Sequence, residues 1–152
     1  MSKRHRFLTT RDLSWWWFNA LVFGLCDAQQ LSTAIEIVEA MIAAGHHYTK
    51  AHGFGRPAFY FHTYGMSSVN SLHMHMVDLD CTGPTFEALR HKNLPVQDVL
   101  KVLREERAAS MSPREYVSLY LDPALKPALV ALARERPADP RTWLAEYLQA
   151  HK

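Results

Sequence analysis

The sequence predicts an α+β protein in which a sheet with flanking helices precedes a C-terminal pair of helices. Three observations support this prediction. Apolar residues recur at intervals of three and four in residues 28–50 and 95–108, which is the period of an amphipathic helix. Residues 68–79 lie between these segments and alternate with a period of two, which is typical of a strand. In the tail, the break at Arg136–Pro140 separates two further apolar stretches.

Length and composition favour one globular domain with a small appendage. The chain has 152 residues, of which 48% are hydrophobic and 21% are charged, so it can bury a core and is not predicted to be disordered. We expect a first domain over residues 1–108, a linker over residues 109–115 and a helical hairpin over residues 116–152.

The charge pattern and the hydropathy argue against two classes of partner. The net charge of +2 is spread along the chain, and the basic cluster at Lys3–Arg6 is short, so no nucleic-acid partner is predicted. The most apolar stretch, Leu13–Cys26, is shorter than the roughly 20 residues that a membrane-spanning helix needs, so no membrane partner is predicted. Cys26 and Cys81 lie outside any CxxC spacing, which is typical of a reducing compartment, and we expect the cytoplasm.

An aromatic run marks a candidate interface near the start of the chain. Trp15, Trp16, Trp17 and Phe18 are consecutive, so on a helix they would cover every face. One small domain can hardly bury all four rings, and Trp is favoured at interface hot spots. We therefore expect some of these rings to contact a partner.

Capping residues and apolar periodicity predict the other helices and strands of the first domain. Asp27 is expected to cap a helix from Ala28 to Lys50. Two extended segments follow, over residues 58–64 and 68–79, with a turn at Gly65 between them. The third helix, over residues 95–108, has an apolar face made of Val96, Val99, Leu100 and Leu103.

Histidines alternate with apolar residues in the second extended segment. One face of such a strand carries Val69, Ser71, His73, His75 and Val77, and the other carries Leu72, Met74 and Met76. The apolar face belongs to the core, and the opposite face presents His73 and His75 roughly 6 to 7 Å apart. Spacing leaves three interpretations open: a nucleophile beside a phosphate contact, a pair of metal ligands, or structural histidines with satisfied hydrogen bonds.

Residues 61–77 (FHTYGMSSVNSLHMHMV) resemble the signature of the histidine triad (HIT) superfamily, whose motif is His-x-His-x-His followed by apolar residues. Members of that superfamily are nucleotide hydrolases and transferases. The resemblance implies a HIT-like antiparallel sheet with flanking helices, in which His73 is the nucleophile that becomes nucleotidylated. It also implies that His75 holds the third triad position and that Ser68 is a phosphate-contacting hydroxyl, while Ser71 replaces the first histidine.

The departures from the HIT pattern predict a domain without catalytic activity. The resemblance covers about residues 3–79, and the family's N-terminal strands, which supply much of the pocket for base and ribose, have no counterpart in the chain. Ser71 also lacks the ring that helps to orient the nucleophile. We therefore expect a truncated, inactive HIT-like domain with no cofactor and no metal, and residual nucleotide binding stays open.

The tail predicts two short amphipathic helices. Asp122 is expected to cap the first, with Pro123 at its first position, and Asp139 is expected to cap the second, which Pro140 opens. Helices this short are marginal alone because helix nucleation is costly, so they need a partner. The residues expected to dimerise or dock are Leu121, Leu125, Leu129, Leu132, Pro137, Pro140, Trp143, Leu144, Tyr147 and Leu148.

The tail resembles the Dpy-thirty motif, which is similar to the dimerisation and docking domain of protein-kinase-A regulatory subunits. Tyr120–Asp122, Pro127, Leu129, Leu132–Pro137, Asp139–Pro140 and Trp143–Leu148 carry the resemblance, and Pro123 and Lys126 depart from the usual pattern. Members of that family occur in histone-methyltransferase complexes. Fused to nucleotide-enzyme-like domains, they also occur in the axonemes of motile cilia, including radial-spoke components.

Three functional hypotheses follow. The leading one is a structural, non-catalytic component of a ciliary axonemal complex of the radial-spoke type. Its C-terminal helices would form a homodimer or a heterodimer and dock on an amphipathic helix of a scaffold protein. The second is a HIT-type nucleotide hydrolase or transferase that uses His73 as its nucleophile. The third is a chromatin-complex adaptor, which rests on the tail and is weakened by the shortness of the basic cluster at Lys3–Arg6.

Overall fold

The computed structural model describes residues 4–15, 25, 27–63, 69 and 71–151. The chain divides into two compact units, residues 1–109 and residues 110–152. The first unit combines a four-stranded sheet with helices, and the second is helical. The mixed α and β composition, with an antiparallel sheet and helices at the C-terminus, confirms the α+β class, and the HIT-like character of the sheet stays a prediction.

The sheet of the first unit is antiparallel throughout. Its strands, in the order β1-β3-β2-β4, are β1 (His5–Thr9), β2 (Pro57–His62), β3 (His73–Asp78) and β4 (Asn93–Pro95). The central strands β2 and β3 occupy parts of the two predicted extended segments. Strands β1 and β4 were not predicted, because five and three residues are too few to display a clear period of two.

The described residues of the first unit include the helices α1 (Ala28–Ala51), α2 (Pro84–Ala88) and α3 (Val96–Ser110). The predicted cap of α1 is confirmed, because the Asp27 carboxylate accepts a hydrogen bond of 2.8 Å from the backbone N–H of Gln30. The prediction of α3 is also confirmed, and its four predicted apolar residues are all buried. Among the described residues, no helix combines the length and the apolarity needed to cross a membrane.

The core lies on one face of the sheet, where α1 and α3 cover the apolar side of β3. Met74 and Met76 of β3 are almost fully buried there together with Leu72, and Leu31 and Val38 of α1 are buried in the same cluster. Each such side chain stabilises the fold by about 1.5–3 kcal/mol when it leaves water. The predicted assignment of the two faces of this strand is therefore confirmed.

A buried carboxylate joins the two ends of the central strands. Asp78, at the end of β3, is 1% exposed and accepts backbone hydrogen bonds from Gly55, Arg56 and Asp80 at 3.1–3.2 Å. The Arg4 guanidinium lies 3.0 Å from the same carboxylate. Burial raises the pKa of Asp78, but the hydrogen bonds that it accepts outweigh burial and hold the pKa below its ordinary value of 3.8.

The predicted first helix of the second unit, which begins at about Asp122, is preceded by further helical turns. Short helix α4 (Pro113–Tyr116) begins after Ser112, which forms a capping box with Glu115, and it lies largely in the predicted linker. The prediction that Asp122 is a helix cap is wrong, because Asp122 has helical backbone angles in the middle of a continuous helical segment. The side-chain cap of this segment is the capping box ten residues upstream.

A π turn, Val117–Leu121, joins α4 to helix α5 (Asp122–Glu135). Within it, the backbone N–H of Asp122 bonds to the carbonyl of Val117, five residues back. Pro123 follows at once and has no N–H to give to the carbonyl of Leu119, which would be its α-helical partner. The wider turn accommodates this missing hydrogen bond without ending the helix.

The predicted break and restart of the hairpin are confirmed. Helix α5 ends with Arg136 in the left-handed conformation (φ 47°), and helix α6 (Pro140–Ala150) begins after Asp139. The Asp139 carboxylate accepts hydrogen bonds from the backbone N–H groups of Arg141 and Thr142. The Trp143 indole N–H donates to the Glu135 carboxylate at 3.1 Å, which ties the start of α6 to the end of α5.

We expect Asp78→Asn to lower the melting temperature at pH 7 by about 5 °C or more, because an amide cannot accept all the hydrogen bonds that converge there. Since the folded-state pKa of Asp78 is depressed, its contribution to stability is complete above about pH 4 and is lost as the pH falls through that lower pKa. The difference in melting temperature between wild type and Asp78→Asn should therefore shrink below pH 4.

The matched control is Asp80→Asn, which removes a half-exposed carboxylate paired with Arg56 and should change the melting temperature little. Thermal unfolding, monitored by circular dichroism, gives the melting temperatures of the wild type, Asp78→Asn and Asp80→Asn. Equal losses in the two variants would contradict the role assigned to Asp78.

Candidate functional site

A cavity of about 780 Å³ lies on the face of the sheet opposite the core. The three longer strands line it with alternate residues: His5, Phe7 and Thr9 from β1, Tyr60 and His62 from β2, and His73, His75 and Val77 from β3. Residues of the segment that connects β3 to β4, among them Phe86 and Lys92, complete the wall together with Asn93 at the start of β4. Because side chains of a strand alternate between faces, each of these strands contributes to the cavity without disturbing the core.

Four imidazole rings converge in this cavity. His62 stacks on His75 with ring centroids 3.8 Å apart, and His73 meets the same ring edge to face at 4.8 Å. Nε2 of His5 lies 2.7 Å from Nδ1 of His75, which is hydrogen-bonding distance. Tyr60 stacks on the His75 ring, with centroids 5.5 Å apart and ring planes within 10° of parallel. His75 is therefore the centre of the cluster.

The orientation of His73 is set by the backbone. Its Nδ1 lies 2.7 Å from the carbonyl oxygen of Ser71, and a carbonyl can only accept, so Nδ1 carries the proton. Nε2 of the neutral ring then has a free lone pair. The Ser71 backbone carbonyl therefore holds the ring, and any residue at that position supplies one. The expected loss of the further support that a first triad histidine would give stays a prediction.

Three of the four clustered histidines are kept neutral, mainly by burial. Burial, together with the charges of the neighbouring histidines and of Lys92, lowers the pKa of His75 to about 3 and that of His62 to about 4. Burial also lowers the pKa of His5, with help from Arg6 and Lys92. At pH 7 these three rings are uncharged and can offer lone pairs.

One buried polar atom of the cluster has no hydrogen-bond partner among the described residues. The His75 side chain is buried, since the residue is only 8% exposed. Its Nε2 nevertheless makes no hydrogen bond within the described part of the chain. A buried polar atom without a partner costs free energy, and such atoms in folded proteins call for a specific explanation.

The mouth of the cavity offers an apolar ring and a cation. Phe7 is 70% exposed and meets His73 edge to face, with centroids 6.2 Å apart. Lys92 lines the cavity and lowers the pKa of three of the histidines, so its ammonium charge acts on the cluster. An anionic ligand with a flat apolar portion fits this combination of charge and exposed aromatic surface.

The sequence identified half of the cluster. It predicted His73 and His75 on the cavity face together with Ser71, and the structure confirms all three positions. It assigned no role to His5 or His62, because only the strand order brings β1 and β2 to either side of β3. The sequence feature that could have indicated their roles is a histidine at the start of β1 and another at the end of β2. Ser68 lies outside the described residues.

The aromatic run is described only at Trp15. This residue ends a short 3₁₀ turn, Leu13–Trp15, and packs half-buried against the core. Trp16, Trp17 and Phe18 lie outside the described residues, so their predicted role as an interface stays a prediction.

The C-terminal hairpin presents apolar surface to solvent. Of the ten predicted docking residues, Leu121 and Leu129 are clearly exposed, at 42% and 50%, and Pro140 is exposed as well. The others are half-buried: Leu125, Leu132, Pro137, Trp143, Leu144, Tyr147 and Leu148. Exposed apolar residues that the prediction omitted are Tyr116, Val117, Leu119, Tyr120 and Val130. The exposed and half-buried apolar residues of these three groups together make up the hairpin surface.

Comparison with known families identifies this second unit. Residues 112–152 match the family model of the Dpy-30 motif. The tail is a Dpy-30 motif. The match begins at Ser112, the residue that caps α4, so the motif includes the early helical turn that the sequence-based boundaries placed in a linker. No curated protein and no solved structure matches the chain, and the resemblance of residues 61–77 to the HIT signature stays a prediction.

The tautomer of His73 provides a direct test of the cavity geometry. We expect ¹⁵N ring shifts at pH 8 to show a protonated Nδ1 and an unprotonated Nε2, because the Ser71 carbonyl accepts the Nδ1 proton. The reverse tautomer, or an equal mixture of the two, would contradict the orientation described. His47→Ala and His73→Ala spectra provide the resonance assignments.

Proposed function

We propose that the chain is a structural docking component of a multiprotein complex, and that its hairpin surface pairs with the same surface of a second copy. The observation that carries this proposal is the Dpy-30 motif at residues 112–152, a dimerisation and docking module. Pairing of two antiparallel hairpins gives a four-helix bundle with a two-fold axis.

The exposure of the hairpin supports this proposal. Within the second unit, Ala128 and Ala131 are buried, whereas Leu121, Leu129 and Val130 are exposed. Two helices of 14 and 11 residues bury too little apolar surface to be stable alone. Leucine, valine and tyrosine side chains that are exposed within one short segment, residues 116–130, are typical of a surface that a partner covers.

We further propose that the paired hairpins bind an amphipathic helix of a scaffold protein in the axoneme of motile cilia. A four-helix bundle of this kind leaves a groove that accepts the apolar side of such a helix. The assignment to the axoneme is supported by the resemblance of the whole arrangement, a nucleotide-enzyme-like domain followed by a Dpy-30 motif, to radial-spoke components.

Leu129→Glu should weaken self-association by about 30-fold or more, because it places a charge at the centre of the paired surface. Its control is Val102→Glu, since Val102 on α3 is also 50% exposed but belongs to the first unit. Light scattering coupled to gel filtration over a range of concentrations measures both variants. Dimers that persist in Leu129→Glu, or that are lost equally in Val102→Glu, would contradict the proposed pairing.

The same two variants test the axonemal assignment in a ciliated cell. Tagged wild type and Val102→Glu should stay with the axoneme after detergent extraction, and Leu129→Glu should move to the soluble fraction. A wild-type chain that is fully extracted by detergent would rule out the axonemal assignment and leave the dimer proposal standing.

A second candidate function concerns the first unit, and the orientation of His73 favours it. Nε2 of His73 has a lone pair and lies in a cavity that Lys92 makes attractive to phosphate. The HIT resemblance implies that this nitrogen attacks the α-phosphorus of a nucleotide. A P–N bond forms and the bond to the leaving group breaks, and water then hydrolyses the P–N bond to release a nucleoside monophosphate and restore the ring.

Incubation of the purified chain with adenosine phosphoramidate tests this second function. We expect release of adenosine monophosphate, lost by at least about 1000-fold in His73→Ala and retained in His47→Ala, which changes an exposed histidine of α1. Equal rates in wild type and His73→Ala would exclude His73 as a nucleophile.

A further inference from the structure

We propose that His62, His73 and His75 form a binding site for one divalent transition-metal ion of the Zn²⁺ class. Each residue offers a ring nitrogen, and the three nitrogens lie within 4.8 Å of one another. The residues come from neighbouring strands of one sheet, so the backbone fixes their mutual positions. Imidazole is a preferred ligand for Zn²⁺, and three histidines with an open fourth position form a known coordination type.

The second nitrogens of two rings are already engaged in the way that metal ligands require. A histidine that binds a metal usually donates its other N–H to a carbonyl or another acceptor, which fixes the ring. Nδ1 of His73 donates to the Ser71 carbonyl, and Nδ1 of His75 lies 2.7 Å from Nε2 of His5. With the proton of His75 on Nδ1, both residues direct an Nε2 lone pair toward the proposed ion.

The unpartnered Nε2 of His75 provides independent support. This atom is buried and has no hydrogen-bond partner among the described residues. A metal ion would satisfy its lone pair and remove the cost of leaving it unpaired. His5 then acts as a positioning residue, because it holds the His75 ring through the other nitrogen.

The present arrangement needs one adjustment to become a zinc site. Tetrahedral coordination at 2.0–2.1 Å places ligand nitrogens about 3.3 Å apart, so the widest separation of 4.8 Å must close by about 1.5 Å. His62 can supply this movement, because its ring makes no hydrogen bond within the described residues and is held by ring contacts with Tyr60, His73 and His75. A change in its χ1 and χ2 torsions that breaks the stack on His75 would turn a ring nitrogen toward the other two.

This proposal does not depend on the docking role of the hairpin, and it competes with the nucleotide chemistry proposed for His73. Nε2 of His73 has one lone pair, so a ring that binds a metal through this nitrogen is unable to attack phosphorus at the same time. The sequence predicted no metal site, because it placed only two histidines on the strand and a third ligand comes from β2.

Metal titration of the full chain tests the site. After treatment with a chelator and its removal, Co²⁺ should bind at one ion per chain and give the visible absorption band of a four-coordinate ion, and Zn²⁺ should displace it. His62→Phe should weaken binding by about 100-fold, and His5→Phe, which loosens the support of His75, by about 10-fold. The control His47→Phe should bind as wild type does.

Two further measurements keep the test valid if a variant folds poorly. Circular dichroism verifies that each variant is folded, and His62→Gln provides a smaller change if His62→Phe is not. In the wild type, Zn²⁺ should shift the Nε2 resonances of His73 and His75. Unchanged Nε2 resonances, unchanged affinity in a folded His62 variant, or loss of binding in His47→Phe would each overturn the proposal.

Discussion

The alternation of strand β3 is the constraint on which the first unit depends. Met74 and Met76 point into the core, so backbone geometry obliges His73 and His75 to point into the cavity. A shift of one residue in register would put imidazoles under α1 and methionines in the cavity, which would cost several buried apolar side chains at once. The same residues that stabilise the sheet therefore fix the position of the site. The Asp78 carboxylate holds the end of this strand to β1 and to the turn before β2.

The second unit depends on a different constraint, the placement of its prolines. Pro123 removes a backbone donor, and the π turn before it keeps the helix continuous while changing its width. Pro140 opens α6, and the left-handed Arg136 ends α5, so the hairpin has a defined turn. These local rules make two helices that leave apolar side chains such as Leu121, Leu129 and Val130 exposed. The histidine-lined cavity thus lies in one unit and the Dpy-30 motif in the other.

The sequence predicted the elements whose signals are local. The Asp27 cap, the apolar stripes of α1 and α3 and the period-two pattern of β3 each lie within a short segment, and the structure confirms them. The features that the sequence did not predict depend on residues that are distant in the chain, or on a choice between two possible helix caps. The roles of His5 and His62 arise from the strand order. The cap was wrongly assigned to Asp122 because the capping box at Ser112 and Glu115 begins a helical segment that continues through Asp122.

The central claim is that two copies of the chain pair through the hairpin surface. The most direct measurement uses isotope-filtered nuclear Overhauser effects in a mixture of labelled and unlabelled full-length chains. Contacts between chains should reach the methyl groups of Leu121 and Leu129 and should be absent at Val102, which is similarly exposed. Intermolecular contacts at Val102 without contacts at Leu129, or no intermolecular contact at either residue, would contradict it.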